Sequence, residues 1–164
     1  MYREKHKMKI RPIEEKDNTA VYQLIRAVLK SEHLDIPGTA YFDENLKQLS
    51  HFYATHQPAD YFVIENEAGE IVGGAGFAPI STGICELQKL YIDQNYRKKG
   101  LSKLLMNQVL SAAKKDYQAI YLETHHDLKS ALMLYERYGF EQRLAPLPES
   151  EHATMDVWMI KNLT

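Results

Sequence analysis

A chain of 164 residues with 45% apolar and 26% charged residues has the length and composition of one globular domain, expected to span 1–164. Its formal net charge of −2 leaves no global field to recruit nucleic acid or an anionic membrane, so any phosphate site has to be a local basic cluster. The lone cysteine, Cys85, excludes an internal disulfide and a cysteine-rich zinc cage. The basic start through Arg3, Lys5, Lys7 and Lys9 leads into no apolar leader core, and no apolar run approaches spanning length, so a cytoplasmic protein is expected.

Met8 to Ile13 reads as an edge strand ended by Pro12 and the acidic run after it. Asp17 or Asn18 can cap a helix in which Val21, Leu24, Ile25, Val28 and Leu29 recur at helical spacing up to the Pro37-Gly38 break. Asp43 to Tyr53 carries a weaker helical pattern through Leu46, Leu49 and Phe52. Tyr61 to Glu65 and Ile71 to Ile80 form a predicted hairpin around Gly69, and Ile84 to Ile92 adds a third strand after the turn at Gly83. Leu101 to Lys115 follows as a helix, Ala119 to Glu123 as a strand, and Lys129 to Tyr138 as a helix closed by Gly139. Phe140 to Leu144 and Ala153 to Ile160 are the last strands. The order β-α-α-β-β-β-α-β-α-β-β sets hairpin-linked strands before helix-linked ones, which predicts an α/β fold of α+β character: a central mixed sheet with helices on both faces.

Two loops compete to hold phosphate. Gly73-Gly74-Ala75-Gly76 fails as a dinucleotide fingerprint because Pro79 stands where glycine or alanine is needed. It also fails as a P-loop, because Ala75-Gly76 replace Lys-Ser/Thr, and a strand passing close to another backbone or a ligand is the simpler reading. Arg97 to Ser102 lies between a predicted strand and a predicted helix, where first-turn amides point outward. Gly100 has no side chain to block phosphate oxygens, Ser102 adds a hydroxyl, and Arg97, Lys98, Lys99 and Lys103 concentrate positive charge. A solvated basic turn has the same composition.

Arg97-x-x-Gly100-x-Ser102 resembles the Gln/Arg-x-x-Gly-x-Gly/Ala signature of the GNAT superfamily of N-acetyltransferases, with Ser102 in place of the usual last glycine or alanine. The run Cys85-Glu86-Leu87-Gln88-Lys89-Leu90-Tyr91-Ile92 is similar to the family's fourth strand. Ala131-x-x-Leu134-Tyr135-x-x-x-Gly139-Phe140 is similar to its C-terminal helix and strand. An asparagine frequent before that helix is replaced by Leu128.

The resemblance implies acetyl-coenzyme A as cosubstrate and a primary amine of a small molecule, lysine or N-terminus as acceptor, with direct transfer in a ternary complex; a non-catalytic acetyl-CoA-binding module is the alternative. It implies that the fourth and fifth strands splay, that Leu90, Tyr91 and Ile92 hold the pantetheine arm, and that the turn from Arg97 through Lys98, Lys99, Gly100, Leu101 and Ser102 to Lys103 holds the pyrophosphate. Glu86, eleven residues before Arg97, takes the position of a catalytic glutamate, and Tyr135 that of the acid facing the departing thiolate. A paired strand glutamate and a core tyrosine are the structural readings of the same residues.

Alternation sets Cys85 on the strand face opposite Glu86, which disfavours an acetyl-cysteine route. His51 and His56 miss helical alignment and His125-His126 are adjacent, so no metal is expected; His125 and His152 are candidates only for cleft contacts. The acid-rich segments Glu32 to Glu44 and Ala145 to His152 would suit a cationic amine. Exposed edge strands leave a homodimer open.

Overall fold

The computed structural model describes residues 8–150 and 154–164. The elements are β1 (Lys9–Pro12), α1 (Asn18–Ser31), α2 (Leu49–Thr55), β2 (Asp60–Glu65), β3 (Ile71–Ser81), β4 (Ile84–Ile92), α3 (Leu101–Ala113), β5 (Ala119–Thr124), α4 (Lys129–Arg137), β6 (Glu141–Arg143) and β7 (Val157–Asn162), in the predicted order. They build a seven-stranded sheet in the order β1-β2-β3-β4-β5-β7-β6. Among the described residues only the β4–β5 pair is parallel.

Strand alternation explains why both faces are covered. In β2, Phe62 and Ile64 pack with Leu105, Met106 and Val109 of α3, whereas Tyr61 and Val63 pack with Val21 and Ile25 of α1 and Leu49 of α2. A strand apolar on both sides needs a helical layer on each. Among the described residues no helix is long and apolar enough to cross a membrane.

The two N-terminal helices differ from the sequence expectation. The α1 stripe of Val21, Leu24, Ile25, Val28 and Leu29 is buried as predicted, but the helix stops at Ser31, well before Pro37. His33 adopts φ 59°, and the Leu34 N–H reaches back to Leu29 O at 2.8 Å, the closing bond of a Schellman-type end; Leu34 is buried behind it. Asp17 sits at the N-cap without capping, because its carboxylate takes Arg11 Nη1 at 2.7 Å, Nη2 at 2.9 Å and the Glu14 N–H at 2.8 Å. Asn18 serves another helix: its Oδ1 accepts the Ser50 N–H at 3.0 Å at the start of α2. A single 3-10 turn, Ala40–Phe42, precedes Asp43, and the helix expected from Asp43 opens as another, Leu46–Gln48, and becomes α-helical only at Leu49. The final strand begins at Val157 rather than Ala153, which lies outside the described residues.

The glycines of β3 serve packing. A Cβ on Gly74 would meet the Tyr61 hydroxyl oxygen at 2.5 Å, and one on Gly76 would meet Asp60 O at 2.5 Å. Tyr61 therefore lies flat across β3 and donates its hydroxyl to Lys89 O at 2.8 Å. Lys89 is where β4 bulges: the step from Gly74 to Gly76 on β3 is matched by Tyr91 to Gln88 on β4, one residue more, and Lys89 takes φ 54°.

Candidate active site

The parallel pairing of β4 and β5 runs through Ile84↔Ala119, Cys85↔Ile120 and Glu86↔Tyr121 and then stops, although β4 continues to Ile92 and β5 to Thr124. The strands splay beyond Glu86. This leaves the β5-facing edge of β4 without a strand partner, a row of main-chain donors and acceptors open to an amide-bearing ligand.

The bulge rephases the side chains along this edge. Cys85 and Leu87 belong to the α3 face, Lys89 is the extra residue, and Leu90 and Ile92 return to the α3 face, while Tyr91 packs on the α1 face. Lys89 projects away from α3, where its Nζ meets Asp43 Oδ2 at 2.9 Å. Strict alternation would have sent it the other way. Of the predicted pantetheine strand, Leu90 and Ile92 thus share a face and Tyr91 does not.

Past β4 the chain makes a 3-10 turn, Gln94–Tyr96, capped by Asp93 through the Asn95 N–H at 2.9 Å, and reaches the basic turn. Lys98 takes φ 63° and Gly100 φ 79°, and Gly100 is the N-cap of α3. A Cβ at Gly100 would meet nothing within 4 Å, so the glycine meets a conformational need and faces open space. With glycine at the N-cap no side chain covers the first amides of α3, and a left-handed residue ahead of a helix start is an arrangement that concentrates N–H groups on an anion. Lys98, Lys99 and Lys103 are exposed, and Ser102 is half-buried. Arg97 Nη1 is 3.4 Å from Glu32 Oε1 at the end of α1. The Leu101 side chain is buried in the core, so this residue can offer a ligand only its amide.

Glu86 stands at the last paired position before the splay and is 9% exposed. Gln88 Nε2 donates to Glu86 Oε1 at 2.7 Å, and the buried Tyr53 hydroxyl donates to Gln88 Oε1 at 2.7 Å, so the carboxylate is held by a chain anchored on α2. Glu86 also lines a cleft of about 600 Å³ with Asp43, Glu44, His56, Lys89 and Glu149. Among the described residues Glu44 and Glu149 have no ion pair, so the cleft is net acidic. His152 lies outside the described residues. A separate hollow of about 720 Å³ beside α1 contains neither Glu86 nor any residue of β5, and its Arg11 and Asp17 already pair with each other.

One residue of this region escaped the sequence reading. Ile120 and Leu122 of β5 face α3, so Tyr121 and Glu123 lie on the face of Glu86. The Tyr121 hydroxyl donates to Glu123 Oε2 at 2.6 Å and accepts the Leu147 N–H at 3.2 Å. The other oxygen, Glu123 Oε1, is buried without a hydrogen-bond partner among the described residues. The alternation Ile-Tyr-Leu-Glu in β5 carried the signal, since it pairs a phenol and a carboxylate on one face.

Tyr135 is 8% exposed, packed in the α3 core 5.8 Å from the Phe140 ring, and its hydroxyl makes no hydrogen bond among the described residues. Burial pushes its pKa well above that of a free phenol. The proton stays on oxygen at neutral pH. Cys85 is fully buried, its Sγ is 3.8 Å from Ala119 O, and burial pushes the thiol up to about 12, which removes it as a nucleophile.

A sheet opened between a central parallel pair, with a helix N-terminus and basic turn at one end and carboxylates on one face, is the architecture of an acyl-transfer site. Residues 19–140 match the Acetyltransferase (GNAT) family, and the chain belongs to that family. It is 39% identical over 153 residues to the uncharacterized N-acetyltransferase YjgM of Escherichia coli (strain K12), covering 90% of each chain. An acetyltransferase of GNAT family from Staphylococcus aureus Mu50 superposes with a TM-score of 0.86 at 22% identity, over 96% of this chain and 99% of that one. The PaiA N-acetyltransferase of Thermoplasma acidophilum in complex with coenzyme A superposes with a TM-score of 0.74 at 18% identity, over 94% and 98%. The chain is an N-acetyltransferase.

Proposed function

We propose that the chain, acting as one domain over 1–164, moves the acetyl group of acetyl-CoA directly to the primary amine of a cationic small molecule or peptide. The observation that carries this is the splay of β4 from β5 immediately beyond Glu86. It supports a cofactor strand between them, with the Gly100 turn at the phosphate end and the acidic cleft at the acyl end. Acetyl-CoA supplies the activated thioester. A lone unpaired thiol such as Cys85 suits a reducing compartment, and the cytoplasm is the compartment proposed.

The protein's part is to position an amine, take its proton and steady the sulfur. An ammonium has no lone pair, so a carboxylate must receive a proton before nitrogen forms its bond to the carbonyl carbon and the C–S bond breaks. Glu86, held by Gln88, is the assigned acceptor of that proton; the second N–H proton, acidic once nitrogen is acylated, passes through solvent to the departing thiolate and leaves coenzyme A as the free thiol. Glu123, with one buried oxygen lacking a partner, is assigned to the incoming N–H, because a buried carboxylate oxygen gains most from a charged donor. Tyr135 keeps its proton and is assigned to a hydrogen bond on the departing sulfur. Its raised pKa makes it a weaker acid than a free phenol, so donation rather than full transfer is the function that suits it.

Glu44, Glu86 and Glu149 line the cleft and would repel a carboxylate and attract a second cation on the acceptor. Coenzyme A release measured against a panel of amines tests this. Diamines and basic peptides should turn over, and amino acids with a free carboxylate should not. Glu86→Gln should lower kcat by about 10²–10⁴-fold, while Glu123→Gln should mainly raise the acceptor KM. Turnover confined to carboxylate-bearing amines would overturn the acceptor class, and unchanged kinetics in both variants would remove the two glutamates from the mechanism.

A further inference from the structure

The turn after β5 holds a cluster separate from Glu86, Glu123 and Tyr135: His125, His126 and Asp127, with Asp156 beside them ahead of β7. Adjacent histidines argue against a metal when read along the chain, yet the turn folds the pair around Asp127. Asp127 Oδ1 lies 3.2 Å from His126 Nε2, and its Oδ2 lies 3.5 Å from His125 Nδ1. One ring nitrogen of each histidine and one carboxylate oxygen fall within 4.8 Å of one another. Around an ion bound tetrahedrally at about 2.0–2.2 Å, neighbouring ligand atoms are about 3.3–3.6 Å apart. The two carboxylate-to-imidazole spacings, one to each Asp127 oxygen, lie close to that separation, so a small rotation of the exposed carboxylate brings one oxygen into range of both rings.

The hydrogen bonds determine where the lone pairs point. The Asp127 N–H donates to His125 Nδ1 at 3.2 Å, so that nitrogen carries its lone pair in the metal-free turn, and an ion bound there takes the place of this long bond. His126 is held from behind: its main-chain N–H donates to Asp156 Oδ1 at 2.9 Å, and its Nδ1 bonds Asp156 Oδ2. A proton on Nδ1 shared with a carboxylate leaves the lone pair on Nε2, toward Asp127. A carboxylate behind the ring is the usual outer partner of a metal-binding histidine. The rings stack with centroids 4.4 Å apart, and the exposure of His126 (64%) and Asp127 (70%) leaves water free to complete a shell.

We propose that this turn is a binding site for a divalent transition metal of the Zn²⁺ class, with His125 Nδ1, His126 Nε2 and the Asp127 carboxylate as ligands and Asp156 positioning His126. Imidazole nitrogen with one carboxylate suits borderline ions over Mg²⁺ or Ca²⁺, which prefer oxygen. Asp156 also donates its N–H to Thr124 O at 3.1 Å, and the Leu128 N–H bonds His125 O at 2.9 Å at the entrance of α4. An ion here ties the start of the helix that carries Tyr135 to the approach of β7. It is structural and independent of the acetyl-transfer reading.

The test uses the full chain without a histidine tag, freed of metal by a chelator, titrated with Zn²⁺ by calorimetry and with Co²⁺ by visible absorption. One ion per chain and a tetrahedral Co²⁺ spectrum are expected. His126→Gln and Asp127→Asn should each abolish stoichiometric binding, and Asp156→Asn should weaken it about 10–100-fold. His51→Gln, remote from the cluster in sequence, should bind as the parent does. Absence of saturable binding, or binding unchanged in both His126→Gln and Asp127→Asn, overturns the site. Because these side chains are largely exposed, circular dichroism should show all variants folded.

Discussion

Gly100 answers two demands, and a substitution separates them. Its φ of 79° costs an L-residue roughly 1–2 kcal/mol, and the open space above it is where, on the proposed function, a side chain would meet phosphate oxygens. Gly100→Val should therefore fold, with a melting temperature lowered by a few degrees. It should bind coenzyme A about 10²-fold more weakly, as expected from losing one or two charge-assisted hydrogen bonds. Calorimetric titration with coenzyme A measures this, and parental affinity would disprove the phosphate assignment. The turn was legible in sequence because a glycine after three cations is a local signal. What was not legible is Lys98 at φ 63°, since nothing in a lysine announces a left-handed backbone. Glu123 went unread for another reason: its interest lies in a buried oxygen without a partner, a property of packing rather than of residue type.

At the scale of elements, strands were read nearly to their ends because apolar residues run densely through β2, β3 and β4, whereas the ends of α1 and the start of α2 were not. Those ends are decided by tertiary bonds: Leu34 folding back on Leu29, and Asn18 reaching to Ser50. The β4 bulge was equally hidden, since it depends on Tyr61 crossing glycines of another strand. The same tertiary logic governs β1. Arg11 bridges Asp17 and Glu65, the latter at 3.1 Å, and joins the first strand to the entrance of α1. Burial raises the Asp17 pKa, but the Arg11 bonds and the Glu14 N–H outweigh it, so the carboxyl titrates below its ordinary 3.8. A depressed folded-state pKa contributes stability that is present above the unfolded value and lost as pH falls through the folded one. Asp17→Asn should cost about 2–4 kcal/mol at pH 7 in urea unfolding. That deficit should shrink once pH drops below 3.8 and the parent's own carboxyl protonates. A deficit constant from pH 7 to pH 2 would show that the charge contributes nothing.

At the scale of the molecule, the sheet is one continuous layer between two cores except where β4 leaves β5. Each core holds one wall of that opening: α3 and α4 support Leu90, Ile92 and Tyr135, while α1 and α2 support Tyr53, Gln88 and Glu86. Two independently packed walls keep the gap open without a ligand to fill it, so the main chain of Leu87 to Ile92 should exchange hydrogen unevenly. Amides of β4 directed at β3 are paired across that register and should be protected; those directed at β5 beyond Glu86 have no strand partner and should exchange fast. Coenzyme A, bound along this edge, should slow the second set and leave the first unchanged. Hydrogen exchange read by nuclear magnetic resonance resolves the two sets residue by residue. Equal protection of both sets in the free protein would mean that the strands close in solution, and protection by coenzyme A confined to the Gly100 turn would mean that the pantetheine arm lies elsewhere.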